Sequence, residues 1–329
     1  MILAGDIGGT KVNLALFLEK AGTLDLIDEA RFESHQYSGL NEILGQYLTG
    51  RSGQLTHACF GVAGPVQDGT CRVTNLDWNV DTGSLRNQLG FESVWLINDL
   101  SAMACSVPFL SGTDLETLQA GSTEKNGRIT VLAAGTGLGQ AFLMPGKSGR
   151  YQVLDSEGGH CDFAPRNKIE TDFLHYLLRE FERVSTERVL SGSGLYRIYQ
   201  FIKESRFTGE PKWLAREFEN GEPGLVVTRN GLEKKSSACE QALEIFVSIY
   251  GAVSGNLALQ VLATGGVYIG GGIAPNLISL IREGRFMEAF LAKGRFKTFL
   301  ERVPVKLIMN DKASLVGAAH FALGRKFIH

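Results

Sequence analysis

The N-terminal part of the chain alternates short apolar runs with turn residues, as expected for the strands of a sheet. The mostly apolar runs at residues 2–4 and 12–17 flank Asp6-Ile7-Gly8-Gly9-Thr10, so they predict a β-hairpin. Further apolar runs predict strands at residues 26–32, 58–62, 71–74, 93–97, 267–269 and 304–309.

Apolar residues at helical spacing predict helices between these strands. The predicted helices cover residues 40–48, 101–107, 169–183, 195–204 and 237–262. Asp81 is expected to cap a short helix that ends at Gln88, and Asp311 a closing helix that reaches about Phe327. Residues 129–144 repeat the pattern of the opening hairpin, which indicates a weak internal repeat. Alternating strands and helices indicate an α/β fold with an at least partly parallel sheet.

The composition is that of an ordinary globular protein of about two domains. The chain has 329 residues, 44% of them hydrophobic and 21% charged, and a net charge of −2. This charge favours neither nucleic acid nor an anionic membrane as a partner. The five cysteines are scattered without a Cys-x-x-Cys pair, which is typical of reduced thiols. Because the sequence has no signal-like or membrane-spanning apolar stretch, we expect a soluble, cytoplasmic protein.

The glycine pair in the first predicted turn is suited to binding phosphate. Gly8 and Gly9 have no side chains, so backbone N–H groups can approach an anion closely, and Thr10 adds a hydroxyl donor. Asp6 would repel phosphate unless a cation lies between them, which predicts a Mg²⁺ site. The alternative is an ordinary Gly-Gly hairpin with a surface aspartate, and this segment alone does not distinguish the two.

Two further glycine-rich turns follow predicted strands. The segment 135–139 resembles a dinucleotide-binding motif, but Gln140 occupies the position of its last glycine. The turn still offers backbone donors to a phosphate, and a plain turn is the alternative. Gly270-Gly271-Gly272 would let adenine or ribose approach the backbone, or would only connect a strand to a helix. Residues 146–148 resemble the end of a P-loop, but Ala141 replaces the earlier glycine that this motif requires.

Polar residues at the ends of other elements are candidates for ligand binding or catalysis. Asn98 and Asp99 follow an apolar strand, at the sheet edge where α/β proteins bind ligands, and a carboxylate there can accept a hydroxyl proton. Glu157 and His160 flank two glycines and can both face one small ligand. Glu187 lies in the first turn of a short helical segment. The alternatives are a helix cap at Asp99, an exposed polar turn at 157–160 and an ordinary first-turn glutamate at Glu187.

Six motifs occur in one order along nearly the whole chain. They are Asp6-Ile7-Gly8-Gly9-Thr10, Ile97-Asn98-Asp99, Ala134-Gly135-Thr136-Gly137-Leu138-Gly139, Glu157-Gly158-Gly159-His160, Glu187-Arg188-Val189-Leu190-Ser191-Gly192 and Gly270-Gly271-Gly272-Ile273. With this ordered set the chain resembles a bacterial-type glucokinase of the hexokinase/actin-like ATPase superfamily. The resemblance implies a two-domain actin-like ATPase (ribonuclease H-like) fold with the active site in the interdomain cleft. The expected domains are residues 1–109, completed by a closing helix at 311–329, and residues 110–310.

The resemblance also implies an activity and roles for the motif residues. It implies that a cytoplasmic homodimer uses ATP and Mg²⁺ to phosphorylate the 6-hydroxyl of glucose, the first step of glycolysis. Asp99 would be the catalytic base. The expected glucose-binding residues are Asn98, Asp99, Glu157, His160 and Glu187. The expected nucleotide-binding residues are Gly5, Asp6, Ile7, Gly8, Gly9, Thr10, Gly135, Thr136, Gly137, Gly270, Gly271 and Gly272, and Asp6 would hold Mg²⁺ through water.

Two features depart from the related families, and three alternatives stay open. Lys11 stands where this family often has Asn, which adds a charge beside the phosphate turn. The cysteine-rich zinc motif of the related repressor/kinase family is absent, which argues against that family and against a structural metal. A sugar-sensing regulator would need a DNA-binding segment, for which we expect no room before Ile2. A filament protein would not need the sugar-binding set, whereas a kinase of another hexose, or one that uses ADP or polyphosphate, would carry the same motifs.

Overall fold

The computed structural model describes residues 1–20, 22–51, 55–73, 76–147, 149–206, 209–324 and 327–328. The chain forms two compact units. Unit 1 consists of Met1–Leu115, Ala141–Asp155 and Asn310–His329, and unit 2 consists of Glu116–Gln140 and Ser156–Met309. Neither unit is therefore one continuous segment of the chain.

The strands agree with the apolar runs of the sequence. In chain order they are β1 (Ile2–Ile7), β2 (Lys11–Lys20), β3 (Thr23–Glu33), β4 (His57–Val62), β5 (Thr70–Arg72), β6 (Asn79–Asp81), β7 (Ser93–Asn98), β8 (Leu115–Gln119), β9 (Ile129–Ala134), β10 (Leu138–Pro145), β11 (Tyr151–Ser156), β12 (Gly266–Gly270), β13 (Val305–Ile308) and β14 (Phe327–Ile328). The end of the strand predicted at 71–74 lies outside the described residues.

The helices include each predicted helix, with some changes at their ends. In chain order they are α1 (Leu40–Leu48), α2 (Thr82–Leu89), α3 (Asp99–Ser106), α4 (Lys168–Leu177), α5 (Thr186–Val189), α6 (Gly192–Arg206), α7 (Lys212–Asn220), α8 (Pro223–Leu232), α9 (Ser237–Val261), α10 (Ile273–Asn276), α11 (Ile278–Arg282), α12 (Arg285–Leu291), α13 (Lys297–Leu300) and α14 (Ala313–Ala322). Asp81 caps α2 as predicted, because its side chain accepts a hydrogen bond from the backbone N–H of Ser84.

The main sheet of unit 1 brings two of the predicted site segments to one edge. Its strand order is β3-β2-β1-β4-β7. The β1–β2 hairpin is antiparallel, whereas β1, β4 and β7 are mutually parallel. In register, Ile7 lies beside Val62, and Val62 lies beside Asn98. The turn after β1 and the segment Asn98–Asp99 therefore share the carboxyl edge of this sheet.

Helices of unit 1 pack their apolar side chains against its main sheet. The buried face of α1 joins the same hydrophobic cluster as β1, β4 and β7. The helix α14 packs against β1, β4 and α3. A Cβ at Gly317 would overlap the carbonyl oxygen of Ala102, so glycine is needed where α14 approaches α3. Near the C-terminus, β14 pairs in parallel with β11.

Unit 2 is built around parallel strands and a long central helix. The strands β9, β12, β13 and β8 are neighbours in that order, and β12 is parallel to both β9 and β13. The helix α9 packs against α6, α8 and α12. Among the described residues, α9 is the one helix long and apolar enough to cross a membrane, and most of its apolar window is buried within the protein, as in a core helix.

Two helices are shorter than the sequence predicted. The helix predicted at 169–183 ends at Leu177, because the chain beyond it turns so that the carbonyl of Val184 accepts a hydrogen bond from Phe163. The closing helix covers Ala313–Ala322, and Asp311 does not cap it. The side chain of Asn310 accepts a hydrogen bond from Lys312 instead. The rest of the predicted closing helix includes β14 and residues 325, 326 and 329, which lie outside the described residues.

Candidate active site

Hydrogen bonds from Ser34 and within the turn itself fix the turn between β1 and β2. The backbone N–H of Gly8 donates to the carbonyl of Lys11 at 2.9 Å. Ser34, which is fully buried, donates from its hydroxyl to the carbonyl of Gly8 and from its backbone N–H to the carbonyl of Thr10, both at 2.9 Å. Ser34 was not predicted, because nothing local to it in the sequence indicates a partner 26 residues away. The turn is thus a fixed loop, as a phosphate site requires.

The predicted nucleotide-binding residues around this turn differ in what they can offer a ligand. Gly5 is buried within β1 against the ring of Phe60, and the side chain of Ile7 lies in the core. Gly8 and Gly9 are half-buried, and Thr10 is exposed. Ile7 can therefore contact a nucleotide only through its backbone, and the glycine pair with Thr10 forms the accessible part.

Asp6 carries the carboxylate expected to anchor Mg²⁺. Burial raises its pKa, an effect that the hydrogen bond from Asn13 Nδ2 to Asp6 Oδ2 (3.3 Å) only partly opposes. A cation beside the carboxylate would favour its ionised form. No cluster of three or more His, Cys, Asp or Glu within the described residues could hold a metal ion. One carboxylate supplemented by water and substrate phosphates is a usual environment for Mg²⁺, so Asp6 fits that ion.

Asn98 and Asp99 begin α3 at the same sheet edge. The side chain of Asn98 is the cap, since its Oδ1 accepts hydrogen bonds from the backbone of Leu100 (3.0 Å) and Ser101 (3.3 Å). Asp99 is the first residue of the helix and also accepts from Leu100, at 2.8 Å. Asn98 therefore supplies the cap of α3, and Asp99 is not required for that function.

The two glycine turns of unit 2 lie beside each other. Gly135 N–H donates to the carbonyl of Gly137 at 2.9 Å, which closes the turn after β9. Gly271, in the turn after β12, has a φ of +84°, and a Cβ there would overlap the carbonyl oxygen of Ala134. Asn276 donates from Nδ2 to the carbonyl of Gly272 at 2.8 Å. The turn after β12 thus needs glycine at position 271, both for its backbone conformation and for the close approach of Ala134. In the turn after β9, Thr136 is exposed.

Three predicted sugar-binding side chains meet in unit 2. His160 lies between two carboxylates, with Nε2 3.8 Å from Glu157 Oε2 and Nδ1 3.8 Å from Glu187 Oε1. The second oxygen of Glu187 accepts a hydrogen bond from the backbone of Leu138 at 3.0 Å. A Cβ at Gly137 would lie 2.7 Å from that same oxygen, so the carboxylate touches the phosphate-type turn. The structure therefore brings the predicted sugar-binding residues next to the predicted phosphate-binding turn.

Arg183 stabilises the loop that carries His160, and this role was not predicted from the sequence. Its guanidinium donates to the carbonyl of His160 at 2.7 Å and to Asp162 Oδ1 at 2.8 Å. A surface arginine carries no local signal of such a contact, because its partners lie more than 20 residues away.

A pocket of about 750 Å³ lies beside the second glycine turn and was also not predicted. The residues that line it include Arg216, Glu222, Leu225, Val226, Leu232 and Asn276. Asn276 links the pocket to the turn, because its amide donates to Gly272. The volume and the mixed apolar and polar lining suit a small organic ligand such as a nucleoside.

The sequence and the fold both match known sugar kinases. The family model described as Glucokinase matches residues 3–325. The chain belongs to the glucokinase family. The glucokinase of Nostoc punctiforme is 40% identical over 334 residues, which cover 97% of this chain and 98% of the relative.

Solved glucokinase structures share the fold of this family member. The crystal structure of a glucokinase from an Antarctic psychrotroph has a TM-score of 0.84 and 30% identity, with 98% of each chain covered. The ROK family glucokinase from Streptomyces griseus, solved with glucose and AMPPNP, has a TM-score of 0.67 at 18% identity and covers 98% of this chain and 99% of its own. The expected two-domain actin-like ATPase fold is confirmed for this glucokinase-family chain.

Proposed function

We propose that this chain is an ATP-dependent glucokinase that converts glucose and ATP to glucose 6-phosphate and ADP. The observation that carries the proposal is the meeting of Glu157, His160 and Glu187 beside the Gly135–Gly137 turn, in a chain of the glucokinase family. The proposal includes the cytoplasmic location and the homodimeric state that the family resemblance implies.

In this proposal the sugar is held mainly by charged side chains. Glu157 and Glu187 accept hydrogen bonds from sugar hydroxyls, and His160, which lies between them, contacts a neighbouring hydroxyl. Asn98 can donate from its amide Nδ2, because its Oδ1 is engaged in the cap of α3. A set of such groups selects a ligand with several adjacent hydroxyls, which is the chemistry of a hexose.

Asp99 acts as the general base on the 6-hydroxyl. Its carboxylate orients the hydroxyl and accepts the proton as the oxygen attacks the γ-phosphorus of ATP. The O–P bond to ADP breaks as the new O–P bond to the sugar forms. For this step Asp99 acts on the 6-hydroxyl of the sugar that Glu157, His160 and Glu187 bind in this proposal.

The glycine turns and the pocket hold the nucleotide. Backbone N–H groups of the Gly8–Gly9 and Gly135–Gly137 turns bind the phosphates, apart from those of Gly8 and Gly135, which are hydrogen-bonded within the turns. The pocket beside Gly272 takes the nucleoside. Asp6 would hold Mg²⁺ through water, and the bound ion would neutralise charge on the phosphate oxygens.

Product formation from a set of matched sugars tests the proposal. With ATP and Mg²⁺, we expect glucose to yield ADP and glucose 6-phosphate in equal amounts. The control is 6-deoxyglucose, which keeps the ring hydroxyls but lacks the acceptor, so it should compete with glucose and form no product. ADP release that does not depend on sugar, or glucose binding without any ADP formation, would contradict the proposal, and the second result would favour a sugar-sensing regulator. Faster turnover of another hexose would assign the kinase to that sugar.

A further inference from the structure

One buried tyrosine connects the two strands that carry the glycine turns of unit 2. Tyr250 lies in α9 and is 0% exposed. Its hydroxyl accepts a hydrogen bond from the backbone N–H of Ala134 at 3.1 Å and donates to the carbonyl of Gly270 at 3.3 Å. Ala134 is the last residue of β9, and Gly270 is the last residue of β12. The same hydroxyl thus bonds to both strand ends.

These strand ends are where the two turns begin. The strands β9 and β12 are parallel neighbours, and Gly270 lies beside Ala133 in register. The Gly135–Gly137 turn follows the first strand, and Gly271–Gly272 follows the second. The carbonyl of Ala134 also approaches Gly271 so closely that no Cβ fits there. A shift of one strand end against the other would therefore change the distance between the turns.

The surroundings of Tyr250 hold the hydroxyl in one position. Its ring makes edge contacts with Phe246 (centroids 6.0 Å apart) and Phe286 (5.9 Å). Gly251 lets α12 approach α9, since a Cβ there would overlap the carbonyl oxygen of Phe286. Burial raises the pKa of Tyr250, so the hydroxyl stays protonated and can donate to Gly270.

We infer that Tyr250 is a positioning residue for the nucleotide, and that its hydroxyl sets the spacing between the phosphate turn and the nucleoside turn. The inference rests on the proposed function, because it assumes that ATP spans both turns. The expected effect is confined to ligands long enough to contact both turns. A general contribution of Tyr250 to folding would affect all ligands alike.

The variant Tyr250→Phe removes the hydroxyl and leaves the ring in place. We expect the KM for ATP to rise about five- to tenfold, the change that follows from loss of a typical hydrogen bond. The KM for glucose should stay within about twofold, as expected for a site that the hydroxyl does not touch. Adenosine and inorganic tripolyphosphate, used as competitive inhibitors, each occupy only one of the two turns that Tyr250 connects, so their inhibition constants should be nearly unchanged.

Tyr199→Phe is the matched control. Tyr199 is also buried, and its hydroxyl donates at 2.6 Å to Glu210 Oε1, which belongs to neither turn. It should lower the melting temperature without changing the KM for ATP. The inference is overturned if folded Tyr250→Phe has an unchanged KM for ATP, or if adenosine and tripolyphosphate weaken as much as ATP does. The wild type is assayed first, so failure of the proposed function appears as absent glucose-dependent turnover and is not confused with failure of this inference.

Discussion

At the scale of single residues, Glu157 and Glu187 differ in how firmly they are held. The side chain of Glu187 is 32% exposed, and one of its oxygens accepts a hydrogen bond from Leu138. The side chain of Glu157 is 69% exposed, and His160 is its one ion-pair partner among the described residues. Glu187 is thus pre-positioned, whereas Glu157 is expected to become ordered when a sugar binds.

Replacement of each carboxylate by its amide tests the proposed sugar contacts. A hydrogen bond to a charged group contributes ~1.5–3 kcal/mol, so Glu157→Gln and Glu187→Gln should each raise the KM for glucose about tenfold or more. The amide oxygen that Glu187→Gln introduces can still accept from Leu138, so the melting temperature of this variant should change little. The exposed residue Glu182 provides the control Glu182→Gln, with normal kinetics. An unchanged KM in both site variants would remove these residues from the sugar site.

At the scale of elements, the contact between α9 and α12 depends on glycine. A Cβ at Gly251 would overlap the carbonyl oxygen of Phe286, and one at Gly255 would lie 2.6 Å from that of Phe290. The two glycines are one helical turn apart, so they form one face along which the backbone of α12 lies close. This contact positions the helix that carries Tyr250.

Gly251→Ala should therefore destabilise the protein, although alanine favours helices. Overpacking of this kind typically costs ~1–3 kcal/mol, and the neighbour here is backbone, which cannot move aside easily. Gly45→Ala in α1 is the control, because Gly45 is exposed and a Cβ there meets nothing within 4 Å. That substitution should stabilise by ~0.4–1 kcal/mol. Denaturant unfolding of both variants checks the pair, and equal effects of the same sign would refute the close-contact argument.

The elements that the sequence predicted correctly are those with local signals. The helix at 40–48 has the predicted bounds because its apolar spacing decides them, and Asp81 caps α2 because the cap involves residues only three positions apart. The helix at 169–183 was predicted too long because a tertiary pairing with Phe163 ends it.

The candidate site residues, whose roles stay predictions, also differ in whether they have a local signal. The glycine turns and the acidic residues have sequence motifs, so they could be named in advance. Other residues have no such motif, because their partners are distant in sequence or their hydrogen bonds are not indicated by composition. They are Ser34, Asn13, Arg183 and Tyr250. The 750 Å³ pocket arises from the packing of helices and has no motif of its own.

At the scale of the whole molecule, the residues named in the proposal are distributed over both compact units. Unit 1 contains the predicted contacts at residues 5–10, Asn98 and Asp99, and unit 2 contains the other predicted contacts. Each set is organised within its own unit, by a sheet edge in unit 1 and by adjoining turns in unit 2. The central claim is that Asp99 removes the proton from the sugar hydroxyl that attacks ATP.

The kcat for glucose 6-phosphate formation by Asp99→Asn tests that claim most directly. Asparagine keeps the shape and the acceptor for Leu100 but is no effective base at neutral pH. Asp81→Asn makes the same chemical change at the start of α2, where asparagine is an equally good cap, and serves as the control. Loss of a general base typically costs ~10²–10⁴-fold in rate, so Asp99→Asn should lose at least that much kcat, with an unchanged melting temperature and normal ATP binding. Asp81→Asn should match the wild type, and wild-type turnover by folded Asp99→Asn would contradict the account.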